Sequence, residues 1–117
     1  MSPLLKGHCP TAHAPMQTGD GFLGRVKPPL GEISSDGARA IAAAARRFGS
    51  GKLELTNRGA IQVRGLTPAG IAGFCEAMVS AGLASVDPTA EQRRNVTLTP
   101  FSDPQSTELA LALEQWV

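Results

Sequence analysis

Two neighbouring stretches alternate apolar and polar residues with a period of two. Leu53 and Leu55 alternate with Lys52, Glu54 and Thr56, and Ile61 and Val63 alternate with Gln62 and Arg64. Strand side chains point to opposite faces in turn, so these stretches read as a hairpin with one apolar and one polar face. The connection Asn57-Arg58-Gly59 puts Arg58 at the bend. The polar face, with its Lys, Glu, Thr, Gln and Arg, is either a solvated surface or a platform for an anion.

The period changes on either side of the hairpin. Ile41, Ala44, Ala45 and Phe48 recur at helical spacing, with Arg39, Arg46 and Arg47 on the opposite side. Ser34, Ser35 or Asp36 can cap this helix, and Gly49 follows its end. The arginines of its outer face are read as solvated. A second helix opens at Thr67-Pro68, carries Ile71, Phe74, Cys75 and Met78 on one face, and stops at Gly82. Cys75 falls in that apolar stripe and reads as a small core residue. Phe22 to Val26 reads as a first strand after the Gly19-Asp20-Gly21 turn, and Leu83 to Val86 as a short last one.

The order strand, helix, strand, strand, helix, strand over residues 19–86 predicts an α+β fold. Its form is a ferredoxin-like split βαβ sandwich (βαββαβ), an antiparallel sheet with both helices on one face. Residues 1–18, broken by Pro3, Gly7, Pro10 and Pro15, read as an irregular arm. Its His8, Cys9 and His13 could supply three metal ligands, but a fourth is missing locally and the spacing is unspecific, so the plainer reading is an arm lying on the domain. Residues 87–117 read as a linker, a short strand at Val96-Thr97-Leu98, and a helix from Ser102 or Asp103 whose Leu109, Leu113 and Trp116 line one side. That tail reads as the start of a further, truncated domain.

Bulk properties narrow the classes. The chain's 117 residues suffice for one core but not two. With 4% aromatic residues, packing must rest on aliphatic side chains and alanine. A net charge of +1 gives no reason to expect nucleic acid. Two cysteines far apart, no apolar run long enough to span a bilayer and no signal core point to the cytoplasm.

Three pieces stand in one order: Thr18-Gly19-Asp20-Gly21, then Leu55-Thr56-x-Arg58-x-x-x-Gln62 with Arg64-Gly65, then Arg94-Asn95-Val96. This set resembles the half-domain of the sirohaem-type nitrite and sulfite reductase superfamily. The opening Cys9-Pro10 and Ala14-Pro15-Met16-Gln17-Thr18-Gly19-Asp20-Gly21, with Arg64-Gly65-Leu66, is most similar to the precorrin-3B synthase branch of cobalamin biosynthesis. The resemblance implies an oxidoreductase parent that hydroxylates precorrin-3A with molecular oxygen and forms a lactone. It implies that Arg58, Gln62, Arg64, Arg94 and Asn95 face an anionic tetrapyrrole. It implies a [4Fe-4S] cluster, and sirohaem or non-haem iron, in the full-length parent. Cys9 and Cys75 do not form the closely spaced pairs of that cluster, so no cofactor is expected in this chain, and alone it is expected to be inactive. The expected partners are the tetrapyrrole and either a missing C-terminal half or a second copy as a homodimer. The alternatives are a half-domain of a sirohaem-dependent sulfite or nitrite reductase, and a non-catalytic ferredoxin-like module that dimerises through its polar sheet face.

Overall fold

The computed structural model describes residues 10–93, with residues 105, 108–110 and 112–113 beyond, and residues 10–93 hold seven strands and α-helices. They are β1 (Met16–Thr18), β2 (Gly21–Val26), α1 (Ser35–Phe48), β3 (Leu53–Leu55), β4 (Ile61–Leu66), α2 (Ile71–Ser80) and α3 (Pro88–Arg93). The strands form one sheet in the order β1-β2-β4-β3, every neighbouring pair antiparallel. The α+β ferredoxin-like expectation holds.

Local chemistry sets the helix ends. Ser34 caps α1, its hydroxyl accepting from Gly37 N at 3.0 Å, and Gly49 follows Phe48. Thr67 accepts from Gly70 N at 3.0 Å and opens a short 3-10 turn, Pro68–Gly70, that leads into α2. These hydroxyls satisfy amides that would otherwise lack partners in the first turn.

The core lies between the sheet and α1 and α2. Val26 of β2, Val63 and Leu66 of β4, Ile41, Ala44 and Ala45 of α1, and Phe74 and Met78 of α2 are buried together. Val63 and Leu66 are three residues apart, so simple alternation would send them to opposite faces. The register explains how both reach the core. Phe22 pairs with Leu66, but Gly24 pairs with Val63, so Arg64 and Gly65 stand opposite Leu23 alone. This is a β-bulge. Gly65 takes φ +69°, and a Cβ there would come within 2.6 Å of Ser50 Cβ. The bulge turns Leu66 back to the core and leaves Arg64 on the other face. Across the sheet, Gly24 leaves room for Phe74, whose ring would lie 2.9 Å from an added Cβ.

Two edges differ from the sequence expectation. Leu83 to Val86 is not a strand. Gly82, at φ +75°, ends α2 with Gly82 N donating to Val79 O at 3.1 Å and Leu83 N to Met78 O at 2.9 Å. This glycine-ended helix cap absorbs Leu83. Ser85 then gives its N–H to the Glu91 carboxylate at 2.9 Å and its carbonyl to His13, so neither is left for a sheet ladder. The place beside β2 goes instead to β1, the end of what the sequence presented as an irregular arm. The turn Gly19-Asp20 joins the two strands, with Thr18 paired to Gly21. The arm is also packed: Pro10, Thr11, Ala12 and Pro15 are buried.

Leu53 and Leu55 share the helix-side face with Val63 and Ile61, their pairing partners. They are nonetheless exposed, because the core draws on β2 and β4 and the helices do not reach the β3 edge. In the tail, α3 occupies part of the expected linker, residues 105, 108–110 and 112–113 are helical, and Ala110 is buried. The strand expected at Val96-Thr97-Leu98 lies outside the described residues.

The bulge predicts a measurable cost. Gly65→Ala forces a side chain into left-handed backbone and against Ser50, and should destabilise the fold by about 1–3 kcal/mol from backbone strain alone. Urea unfolding of the variant against Ser50→Gly, which removes the Cβ it would meet, and the double variant would separate strain from the side-chain clash. The double variant should recover only part of the loss.

Candidate functional site

The face of the sheet away from the helices carries a connected polar row. Arg25 of β2 pairs with Gln62 of β4, and Gln62 pairs with Glu54 of β3, so the three lie side by side across the sheet. With the Gln62 amide turned to satisfy its neighbours, its nitrogen donates to Glu54 Oε1 at 3.3 Å. Its oxygen accepts from Arg25 Nη2 at 2.7 Å and Nε at 3.3 Å. Arg64, re-aimed by the bulge, donates from Nη1 to Glu54 Oε1 at 2.9 Å and from Nε to Asp20 Oδ2 at 3.1 Å. Thr18 Oγ1 donates to Asp20 Oδ1 at 2.6 Å. The row therefore runs Arg25, Gln62, Glu54, Arg64, Asp20, Thr18 without a break, with two cations and two carboxylates.

Its electrostatics follow from the hydrogen bonds. The Thr18 hydroxyl and then the Arg64 guanidinium hold the Asp20 carboxyl below the usual carboxylate range, against a small opposing effect of burial. Glu54 and Asp20 in turn raise the Arg64 guanidinium above its ordinary value. Both ends of the bridge favour the charged forms. The face is not uniformly open, since Leu23, on the Arg25 side of β2, is buried.

The structure brings together two of the sequence-predicted site residues, Gln62 and Arg64. Arg58 stands apart, exposed on the hairpin turn, its backbone N–H donating to Thr56 Oγ1 at 3.3 Å. Beside it Gly59, at φ +72°, sits against the loop after β2, with Gly31 Cα 3.6 Å from where a Cβ would be. Arg94 and Asn95 lie outside the described residues. Arg25 and Asp20 were not singled out from the sequence. Strand alternation from the buried Val26 would have placed Arg25 on the polar face, and Asp20 was read as a turn residue and as part of the Thr18-Gly19-Asp20-Gly21 motif, without a site role.

A second cluster joins the arm to the end of α2. His13 Nε2 donates to Ser85 O at 2.6 Å, since a carbonyl can only accept. That leaves Nδ1 as the acceptor, and the Cys75 thiol donates to it at 3.3 Å. Burial, then the nearby Glu91 and Glu76 carboxylates, push the Cys75 thiol up. Cys75 is thus a neutral hydrogen-bonded latch, and the thiolate needed for nucleophilic attack or metal ligation is disfavoured. Glu91 is fully buried, although its surroundings in sequence are polar. Among the described residues no group of three or more His, Cys, Asp or Glu side chains could hold a metal ion. His8 and Cys9 lie outside them. Two cysteines in 117 residues do not supply the four thiolates of a [4Fe-4S] cluster. Among the described residues no helix is long and apolar enough to cross a membrane.

The model of the nitrite/sulfite reductase ferredoxin-like half domain matches residues 14–81, from the end of the arm to the end of α2. The chain belongs to this half-domain family. It is 36% identical over 116 residues to a precorrin-3B synthase of Sinorhizobium, covering 95% of this chain and 25% of that protein. It is 30% identical over 89 residues to a ferredoxin–nitrite reductase of Synechococcus elongatus, covering 75% of this chain and 17% of that protein. The half-domain chain thus spans a quarter or less of the length of these curated relatives.

Two outcomes follow from the site geometry. Because Asp20 titrates lower in the folded protein, its ion pair stabilises the fold above the unfolded carboxyl value. That contribution is lost as pH falls through the lower folded value, below about pH 4. Asp20→Asn should flatten the pH dependence of unfolding in that acid range and leave it unchanged at neutral pH. The second concerns Cys75. In a Cys9→Ser background its alkylation by iodoacetamide near pH 8 should be slower in the native protein than after unfolding in urea, and His13→Ala should speed the native reaction by freeing the arm.

Proposed function

We propose that this half-domain forms one wall of an anionic tetrapyrrole site in a precorrin-3B synthase-like oxidoreductase. The observation that carries the reading is the polar sheet row, where Arg25 and Arg64 are held by Gln62, Glu54 and Asp20 on one rigid surface. A precorrin presents many carboxylates around a macrocycle. Guanidinium groups bind such carboxylates through paired N–H donors and stay charged. Arg58, at the hairpin tip, and Arg94 with Asn95, in the Arg-Asn-Val motif, would extend the same wall. The match to precorrin-3B synthase over almost the whole chain supports this substrate class.

In this reading the whole protein hydroxylates precorrin-3A with molecular oxygen and closes a lactone. Any iron-sulfur cluster or further iron would be held by residues other than those of this chain, and the isolated chain would bind without turning over. A second half-domain, from the same protein or from another copy, would complete the site. The protein would work in the cytoplasm.

The similarity to a nitrite reductase favours a second reading, in which the wall faces sirohaem and the substrate is nitrite or sulfite. The pigment separates the two. A full-length reductase should purify with bound sirohaem and its absorption bands, and a precorrin-acting enzyme should not.

Binding is testable on this chain. Uroporphyrin, an eight-carboxylate tetrapyrrole, would be titrated with the protein and followed by its fluorescence. Arg25→Ala and Arg58→Ala should each weaken binding by roughly tenfold, the scale of one charge-assisted hydrogen bond. Arg46→Ala, on the outer face of α1, should change it little. Equal effects of all three would reduce the interaction to net charge and overturn the site assignment.

A further inference from the structure

We infer that the exposed edge of β3 is an interface between two copies of this chain, paired antiparallel about a two-fold axis at Leu53. Among the described residues β3 is an outer strand of the sheet, next to β4 only. Arg64 N donates to Lys52 O at 3.1 Å and Thr56 N to Ala60 O at 3.0 Å, so the even-numbered residues of this stretch bond inward to β4. By antiparallel alternation Leu53 and Leu55 turn their backbone N–H and C=O groups outward. Their side chains are uncovered as well, Leu53 by 40% and Leu55 by 83%. A strand edge that no described strand pairs, with exposed leucine along it, forms a template for another strand.

Charge complementarity selects the occupant. About a two-fold axis at Leu53, Leu53 pairs with the partner's Leu53 and each N–H meets the other's carbonyl. Lys52 then stands opposite the partner's Glu54, and Glu54 opposite the partner's Lys52. Cross-strand pairs of opposite charge stabilise a sheet, and like charges facing each other destabilise it. Moving the axis by one residue to Glu54 would set the two Glu54 side chains against each other, so the Lys52-Leu53-Glu54 run is self-complementary in the Leu53-centred register. Leu55 would extend over the partner's Gly51, which has no side chain to obstruct it. Lys52, Leu53 and Glu54 are all exposed and so available for this contact. The result is a continuous eight-stranded sheet, with both polar rows on one face and both sets of helices on the other. Such closed two-fold pairs are the commonest oligomeric form.

Charge swapping tests the register as well as the surface. Sedimentation equilibrium of the 117-residue chain, from dilute to millimolar concentration, should show a monomer–dimer equilibrium. Lys52→Glu and Glu54→Lys should each be monomeric alone, because each places like charges across the axis. Mixed in equal amounts they should form a heterodimer, since the two carboxylates of one variant's strand then face the two ammonium groups of the other's. Recovery on mixing would also show that both variants are folded. Leu53→Cys should cross-link under oxidation into a disulfide dimer, because facing hydrogen-bonded residues have Cα atoms about 5.5 Å apart. Leu55→Cys should not cross-link. A wild-type chain that stays monomeric throughout would overturn the interface. So would a dimer that survives both charge reversals, or one that Leu55→Cys traps as readily as Leu53→Cys.

Discussion

The bulge at Arg64 and Gly65 governs much of what this sheet can do. Without the extra residue, β4 would place Val63 and Leu66 on opposite faces, and one of them would leave the core. With it, both side chains are fully buried, and Arg64 faces away from the helices. The bulge also ties β4 to the end of α1. The Arg64 carbonyl, displaced by the extra residue, accepts from both Ser50 N and Ser50 Oγ at 3.1 Å. One irregular step therefore completes the core, docks the α1–β3 connection and aims a guanidinium at Asp20 and Glu54. Bulges re-aim side chains beside functional sites in this manner. The glycine that permits it is also the second residue of the Arg64-Gly65 pair that carries part of the family resemblance.

Much of the architecture was legible because the deciding interactions are local. Ser34, Thr67 and Gly82 announce helix ends through their own backbone and hydroxyl chemistry. The period of two around Leu53 and Ile61 announces the hairpin. What was not legible depends on partners distant in sequence. Leu83 to Val86 has the composition of a strand, but the α2 cap takes Leu83, and His13, 72 residues away, takes the Ser85 carbonyl. Glu91 looks like part of a solvated linker, yet its carboxylate is drawn inside to receive the Ser85 N–H. The arm looks irregular because of its prolines, and its last three residues still become β1, since the Gly19-Asp20 turn returns them alongside β2.

The site shows the same division. Gln62 and Arg64 were visible from strand alternation. Their neighbours Arg25 and Asp20 come from another hairpin, 37 or more positions earlier, and only the β2–β4 register brings them into the row. A resemblance to a motif names residues on one element, and the register then decides which residues on other elements share their surface.

The row is electrically balanced, and this shapes how a polyanion could meet it. Arg64 already spends Nε and Nη1 on two carboxylates of its own fold. An incoming carboxylate must use the remaining edge of that guanidinium or displace Asp20 or Glu54. Displacement carries little gain in water-exposed surroundings, where one ion pair replaces another. The balanced row therefore favours ligands whose carboxylates fit between fixed donors over ligands that are merely anionic. Arg58 is different, because its side chain projects from an exposed turn anchored by Gly59 against Gly31. Its exposure leaves it open to a ligand, whereas Arg25 and Arg64 are already hydrogen-bonded within the row. In the proposed binding, selection by the hydrogen-bonded row and capture by the exposed Arg58 would be separable contributions. The first should persist at high salt, where the second is screened.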